Sequence, residues 1–292
     1  MNPIGIYEKA LPGDMGWGER LRTVKQLGFD FIEMSIDETD HRLERLNWSI
    51  EQRRELVNEI LDSGVRIPSI CLSGHRRYPL GSHNAESRAK ALELMKNAIT
   101  FASDIGVRVI QLAGYDVYYE DKDELTHRYF VENLKQACRW AAEKQIVLAI
   151  EIMDDPYINS ITKYLSIASE INSPWLYVYP DIGNLSAWGN NVIRELNRGR
   201  FEIAAIHLKD TLAVSDASKG KFKGVPFGAG CVDFEMCLKT LSAIDYNGPF
   251  LIEMWSEQSP DWQKEVGAAV DFLVPILKEA GYDYGDKLSR GA

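Results

Sequence analysis

The chain contains VRVIQLA at residues 107–113 and IVLAIEI at residues 146–152, two short apolar runs joined by a segment with helical periodicity. Apolar residues occupy both faces of each run, which is typical of a parallel strand that is covered on its two sides. Similar runs recur along the whole chain. Together, the runs span residues 4–7, 29–36, 65–72, 107–113, 146–153, 176–182, 203–208 and 250–254.

Amphipathic segments follow these runs and predict helices. The segments span residues 18–27, 50–63, 84–105, 123–143, 160–171, 190–199, 233–244 and 260–280. Ser49 with Gln52 forms a capping-box pattern, and Asp233 is a second predicted helix cap. Gly28, Gly64 and Gly106 each stand where a helix is expected to end, because glycine accepts the left-handed conformation.

This alternation predicts an α/β protein, a single (β/α)8 TIM barrel that occupies residues 1–292 as one domain. No linker rich in Pro, Gly or Ser divides the chain. The long segment at about residues 211–230 has no apolar periodicity. We interpret it as an elaborated loop on the face of the barrel that carries active sites.

The overall charge restricts the class of partner. The chain has 33 Lys and Arg against 43 Asp and Glu, a net charge of −10, which argues against binding to nucleic acid. No run of about 18 apolar residues predicts a membrane span, and the N-terminal residues lack a signal-peptide pattern. The four cysteines have no C-x-x-C spacing. We therefore expect a cytoplasmic protein with a small-molecule substrate.

Four polar residues near the ends of consecutive runs are the candidate metal ligands: Glu151, Asp181, His207 and Glu253. A carboxylate within an apolar strand is costly unless it is paired or binds a metal, and for each Glu a structural ion pair is an equally good explanation. Taken alone, His207 is typical of a core histidine and Asp181 of a turn. Three oxygen ligands and one nitrogen at one barrel mouth favour one divalent cation, and Zn, Mn, Co and Mg all fit.

Other residues suggest an anion site. Gly228 and Gly230 precede a predicted helix, where backbone N–H groups can hold an anion, although the glycines can equally shape a loop. Basic residues after the first and third runs can bind a phosphate or simply face solvent, the latter being typical of Arg76 and Arg77. The candidate substrate- or phosphate-binding residues are Lys9, Ser73, His75, Arg76, Lys209, Gly228 and Gly230.

Longer motifs resemble a known family. They are GIYEKALP at residues 5–12, FDFIEMSIDETD at 29–40, CLSGHRRYPLGS at 71–82, VIQLAGYDVYYE at 109–120, YPDIGNLSAW at 179–188, HLKD at 207–210 and LIEMWSE at 251–257. In this order they resemble the L-ribulose-5-phosphate 3-epimerases, also described as L-xylulose-5-phosphate 3-epimerases, which serve bacterial L-ascorbate catabolism. The resemblance covers about residues 3–280.

The resemblance implies a function and a role for each candidate ligand. It implies that Glu151, Asp181, His207 and Glu253 hold the metal, and that Glu151 and Glu253 are also the catalytic acid/base pair. The reaction implied is proton transfer at C3 of a pentulose phosphate, through an enediolate that a divalent Lewis acid stabilises. A homodimer is also implied by the family.

Four alternatives are considered at this point. A D-tagatose-type 3-epimerase would act on unphosphorylated sugars, and a ketose/aldose isomerase would move a proton between C1 and C2 on the same barrel. A metal-dependent DNA-repair endonuclease is disfavoured by the net charge and by the presence of only five His. A sugar-phosphate sensor without catalysis would not need two carboxylates at one metal.

Overall fold

The computed structural model describes residues 2–288, and eight parallel strands form its main sheet. The described residues contain ten strands in all, of which β8 and β9 lie outside the main sheet. They are β1 (Ile4–Tyr7), β2 (Phe31–Ile36), β3 (Ser69–Leu72), β4 (Val109–Ala113), β5 (Val147–Glu151), β6 (Leu176–Tyr179), β7 (Ile206–Leu208), β8 (Asp210–Ser215), β9 (Ser218–Val225) and β10 (Phe250–Ile252). The order of the main sheet is β6-β5-β4-β3-β2-β1-β10-β7, and Asp181, just after β6, forms a parallel bridge with His207 in β7. The predicted TIM barrel is confirmed.

A helix follows nearly every strand of the main sheet. They are α1 (Trp17–Gln26), α2 (Asp40–Leu43), α3 (Ile50–Ser63), α4 (Ala85–Ile105), α5 (Glu124–Lys144), α6 (Ile161–Ile171), α7 (Ile182–Ala187), α8 (Val192–Gly199), α9 (Phe234–Ala243) and α10 (Trp262–Glu279). Short 3-10 helices cover Glu8–Ala10, Glu44–Asn47, Ser73–Arg76 and Gly285–Lys287. No helix among residues 2–288 is long and apolar enough to cross a membrane.

The predicted helix caps are present. Ser49 and Gln52 exchange two hydrogen bonds between side chain and backbone, at 2.9 and 3.3 Å, and Asp233 accepts the Met236 N–H at the start of α9. Gly106 ends α4 with a φ of 80°, a conformation that side chains with a Cβ rarely adopt. These local interactions explain why the helix boundaries follow the sequence pattern so closely.

The described part of the chain consists of two compact units. One contains the described residues up to Glu33, then Glu59–Arg66, then those from Pro180 onward, and it includes β1, β7 and β10. The other contains Met34–Asn58 and Ile67–Tyr179, and it includes β3 to β6. Each unit buries the apolar side chains of its strands. The prediction that residues 1–292 form one domain stays a prediction, and Met1 and residues 289–292 lie outside the described part.

The segment after β7 is more regular than the sequence predicts. Instead of an irregular loop, β8 and β9 form an antiparallel hairpin, with Leu212 opposite Lys221 and Val214 opposite Lys219. In β9 the Ser and Lys side chains are all exposed, and Phe222 and Val225 are three residues apart, so this strand shows no period-2 apolar pattern in the sequence. The short helices α2 and α7 were also not predicted, because four and six residues carry too little periodicity.

Candidate functional site

Four ionisable side chains from different strand ends form a buried cluster. Glu151 ends β5, Asp181 follows β6, His207 lies within β7, and Glu253 directly follows β10. Each residue offers one ligand atom, and these atoms all lie within 4.8 Å of one another. The structure thus brings together the four predicted ligands, while their role in binding a metal stays a prediction.

The two carboxylate oxygens of Asp181 have different partners. Oδ1 accepts the Asn184 N–H at 2.8 Å and thereby caps α7. Oδ2 lies 2.5 Å from the Nζ atom of Lys209 and 3.9 Å from Nδ1 of His207. Oδ1 thus has the turn role that the sequence suggests for Asp181, whereas Oδ2 faces the cluster, where metal binding stays a prediction.

The ring of His207 lies between carboxylates on its two sides. Its Nδ1 atom lies 3.5 Å from Oε2 of Glu253, on the side of the cluster, whereas Nε2 lies 3.4 Å from Oε1 of Glu33. Glu33 is fully buried in β2. A carboxylate behind a metal-binding histidine typically holds the proton on the distal nitrogen and leaves the other nitrogen for the metal. Glu33 lies where such a carboxylate would stand, beside the Nε2 edge of the ring.

Glu253 is held in its charged form. Burial raises the pKa of this carboxyl, but the Lys209 ammonium and the His207 ring lower it by more than burial raises it. The net result is a pKa of about 2, below the usual value for Glu. The Nζ atom of Lys209 lies 3.0 Å from Oε2. Glu253 is therefore a carboxylate at neutral pH, the form that a metal ligand or a general base requires.

Glu151 has a partner on the adjacent strand. Gln111, fully buried in β4, donates from Nε2 to Oε2 of Glu151. The sequence did not lead us to predict Gln111 as a site residue. Its signal in the sequence is an amide inside the otherwise apolar VRVIQLA run, since a buried amide needs hydrogen-bond partners.

The charges and donor types of the cluster fit a divalent cation. Glu151, Asp181 and Glu253 supply three buried carboxyl groups, and Lys209 supplies one ammonium beside two of them. Buried carboxylates in excess of the cations near them are unfavourable, so a further positive charge would stabilise the site. Carboxylate oxygen and imidazole nitrogen suit Mg, Mn, Zn and Co alike.

The N–H groups of the two glycines that were predicted to hold an anion contact a carboxylate of the protein itself. The N–H groups of Gly228 and Gly230 both donate to Oδ2 of Asp210 at 2.9 Å, and Thr211 N–H donates to Oδ1 at 2.9 Å. The anion in this backbone nest is therefore the protein's own Asp210 carboxylate. Gly230 has to be glycine here, because a Cβ would overlap Oδ1 of Asp210.

The remaining predicted phosphate residues occupy different environments. His75 is buried, its Nε2 atom donates to the Ala91 carbonyl at 3.2 Å, and burial lowers its pKa to about 4, so the ring is neutral and poorly suited to bind phosphate. Arg76 lies 4.5 Å from the centre of the Tyr118 ring and 3.8 Å from Glu38. Lys9 and Ser73 are half-buried in the 3-10 helices after β1 and β3.

A cavity of about 520 Å³ opens beside the cluster. Lys209 and Glu253 line one part of it, Trp255 and Phe227 supply aromatic walls, and Gly224 and Val225 at the end of β9 complete one edge. Its volume falls in the range of small-molecule sites. The hairpin thus contributes to a cavity that contains one predicted acid/base residue.

Comparisons with known proteins agree with the motifs. Residues 21–276 match the family model of the xylose isomerase-like TIM barrel. L-ribulose-5-phosphate 3-epimerase UlaE from Shigella boydii serotype 18 (strain CDC 3083-94 / BS512) is 55% identical over 279 residues, which cover 96% of each chain.

Two solved structures share the fold at lower identity. D-psicose 3-epimerase from Clostridium cellulolyticum H10, with D-tagatose, has a TM-score of 0.76 at 17% identity and covers 94% of this chain and 99% of its own. An L-ribulose 3-epimerase has a TM-score of 0.75 at 18% identity and covers 96% of both chains. On the strength of the closer match, the chain belongs to the L-ribulose-5-phosphate 3-epimerase family, within the xylose isomerase-like TIM barrels.

Proposed function

We propose that this protein is a metal-dependent 3-epimerase that interconverts L-xylulose 5-phosphate and L-ribulose 5-phosphate. The observation that carries the proposal is the buried cluster of Glu151, Asp181, His207 and Glu253, in a chain 55% identical to an L-ribulose-5-phosphate 3-epimerase. An isolated structural ion pair would not need three carboxyl groups and an imidazole within 4.8 Å. Family and site therefore support the same chemistry.

Epimerisation at C3 requires removal of a proton next to the C2 carbonyl and delivery of a proton to the opposite face. A divalent cation held by the four residues would act as a Lewis acid that stabilises the negative charge on the sugar. Glu151 ends β5 and Glu253 directly follows β10, so the two carboxylates come from different strands of the sheet. We assign one carboxylate to each face of the bound ketose, as base for one epimer and as acid for the other.

The direct test is an NMR time course with each pentulose phosphate in turn. L-Ribulose 5-phosphate should give L-xylulose 5-phosphate, and the reverse reaction should reach the same equilibrium mixture. Appearance of an aldose phosphate instead would identify a ketose/aldose isomerase. Absence of any exchange at C3, with metal bound, would leave only a binding protein.

We expect kcat/KM for the 5-phosphate to exceed that for the free pentulose by at least ~100-fold, since two charge-assisted hydrogen bonds to a phosphate supply about 3 kcal/mol. Arg76→Ala should reduce this ratio. Arg77→Ala is the matched control, because that neighbouring guanidinium is more exposed and lies 2.6 Å from Asp40. The measurement is the ratio of kcat/KM for the two sugars in each variant.

One observation favours a second candidate, a D-tagatose-type epimerase that acts on unphosphorylated sugars. Asp210 occupies the backbone donors of Gly228 and Gly230, and His75 is neutral, so these three residues offer less to a phosphate than the sequence predicts. Equal kcat/KM on the free and the phosphorylated pentulose would support this second candidate.

A further inference from the structure

The position of Lys209 within the carboxylate cluster is not explained by phosphate binding. Its side chain is buried, and its Nζ atom lies 2.5 Å from Oδ2 of Asp181 and 3.0 Å from Oε2 of Glu253. Since Oδ1 of Asp181 accepts the Asn184 N–H, Oδ2 is the oxygen that faces the cluster. The ammonium therefore contacts the same oxygen that Asp181 would offer to a metal.

The local backbone holds Lys209 in this direction. Lys209 lies directly beyond the end of β7 and two residues after His207, and both side chains contact Glu253 and Asp181. The next residue, Asp210, is fixed by hydrogen bonds from the N–H groups of Gly228 and Gly230. The lysine backbone is thus anchored, while its four-carbon side chain keeps rotatable bonds.

The ammonium also lies near an aromatic ring, which the ammonium of Lys223 approaches as well, at 5.3 Å. The Nζ atom of Lys209 lies 5.4 Å from the centre of the Trp255 ring, and both residues line the cavity beside Glu253. An aromatic face stabilises a cation, so the side chain can leave the carboxylates without losing every favourable interaction. Near a divalent cation, by contrast, the ammonium is repelled by a charge of the same sign.

We propose that Lys209 partly neutralises the carboxylates of Asp181 and Glu253 and competes with a divalent cation for their oxygens. The proposal rests on the metal site of the proposed function. It requires that the ammonium move away from these oxygens when the metal binds. Neutralising Lys209 should therefore have opposite effects on the stability of the metal-free protein and on metal affinity.

The test uses Lys209→Met, which keeps the length of the side chain and removes its charge. Titration of metal-free protein with MnCl2 should show Mn²⁺ binding about tenfold tighter or better than in the wild type, because a repulsive charge is absent. The metal-free variant should melt at a lower temperature, since two carboxylates lose their counter-ion, and added Mn²⁺ should raise the Tm by more than in the wild type.

Three further variants complete the experiment. Lys209→Gln repeats the neutralisation with a polar side chain if the Met variant does not fold, and Lys209→Arg, which keeps the charge, should retain nearly wild-type affinity. Lys221→Met is the matched control, because this exposed lysine of β9 donates only to the Gly224 carbonyl among the contacts described for it. It should leave Mn²⁺ affinity unchanged.

The outcomes separate this inference from the function on which it rests. Equal or weaker Mn²⁺ binding by the neutral Lys209 variants overturns the role of Lys209 and leaves the metal site intact. If neither the wild type nor any variant binds Mn²⁺, Co²⁺, Zn²⁺ or Mg²⁺, the metal site and the proposed function both fail.

Discussion

Removal of divalent metal from the protein should lower turnover of L-ribulose 5-phosphate by a factor on the order of 10³ or more. Lewis-acid stabilisation of the charge that develops at C2 contributes several kcal/mol, and each 1.36 kcal/mol corresponds to about tenfold in rate. The four convergent ligands motivate this expectation. Dialysis against a chelator, followed by metal analysis and an epimerisation assay, measures the effect, and Mn²⁺, Co²⁺, Zn²⁺ or Mg²⁺ should each restore part of the activity.

A pair of histidine variants connects this loss to the site. His207→Gln should lose bound metal and activity together, because it removes the nitrogen ligand. His127→Gln is the matched control, since this histidine contacts Tyr157 and Glu170 instead of the cluster. Full activity in a sample with no measurable metal would exclude the metal-dependent mechanism.

The barrel and its four candidate ligands could be predicted because they depend on local pattern. Runs with apolar residues on both faces identify buried parallel strands. Residues at the carboxyl ends of such strands come together at one end of the barrel, independently of the conformation of the loops. Glu151 and Glu253 could be recognised because a carboxylate inside an apolar run is costly to bury unless it has an ionic partner or a metal. Lys209 is two residues after His207, so the alternation of side chains along a strand also predicts that the two side chains point to the same side. The interpretation of Lys209 as a phosphate ligand does not use this signal.

What could not be predicted depends on contacts between distant residues. The N–H groups of Gly228 and Gly230 looked available to a ligand, and only the turn of the β8–β9 hairpin brings them back to Asp210, 18 and 20 residues earlier. His75 looked cationic within a basic segment, yet burial against the Ala91 carbonyl makes it neutral. Basic residues in a sequence therefore identify an anion-binding site only when their burial and the partners of the nearby backbone N–H groups are known.

Replacement of either proposed base should reduce kcat by a factor of at least ~10², the lower end for loss of a positioned acid or base. The variants are Glu151→Gln and Glu253→Gln, with Glu93→Gln as the control, an exposed residue that pairs with Lys90 at 2.9 Å. Each of the two site variants also removes a candidate metal ligand. Metal content must therefore be measured beside the rate, and a variant that keeps its metal and epimerises at nearly the wild-type rate would exclude that Glu from the mechanism.

Isotope exchange in D2O then distinguishes two bases from one. If Glu151 and Glu253 each serve one face of the ketose, the product should acquire deuterium at C3, because the acid that delivers the proton has exchanged with solvent. Substrate recovered early should acquire little deuterium, since the base that removed its proton returns the same proton to the same face. A single mobile base would carry solvent deuterium to both faces.

The two site variants sharpen this argument, because each keeps one base. On long incubation, a variant that retains its metal should exchange the C3 proton of one epimer with solvent while it fails to convert that epimer into the other. Without the opposite acid, the deprotonated sugar persists long enough for the remaining base to exchange its proton with solvent. Glu151→Gln and Glu253→Gln should show this exchange with opposite epimers. The pentulose phosphate that each variant labels with deuterium identifies the epimer whose proton the remaining Glu removes. Equal deuterium in early recovered substrate and in product of the wild type, or exchange of the same epimer by both variants, would overturn the two-base mechanism even if both residues prove essential.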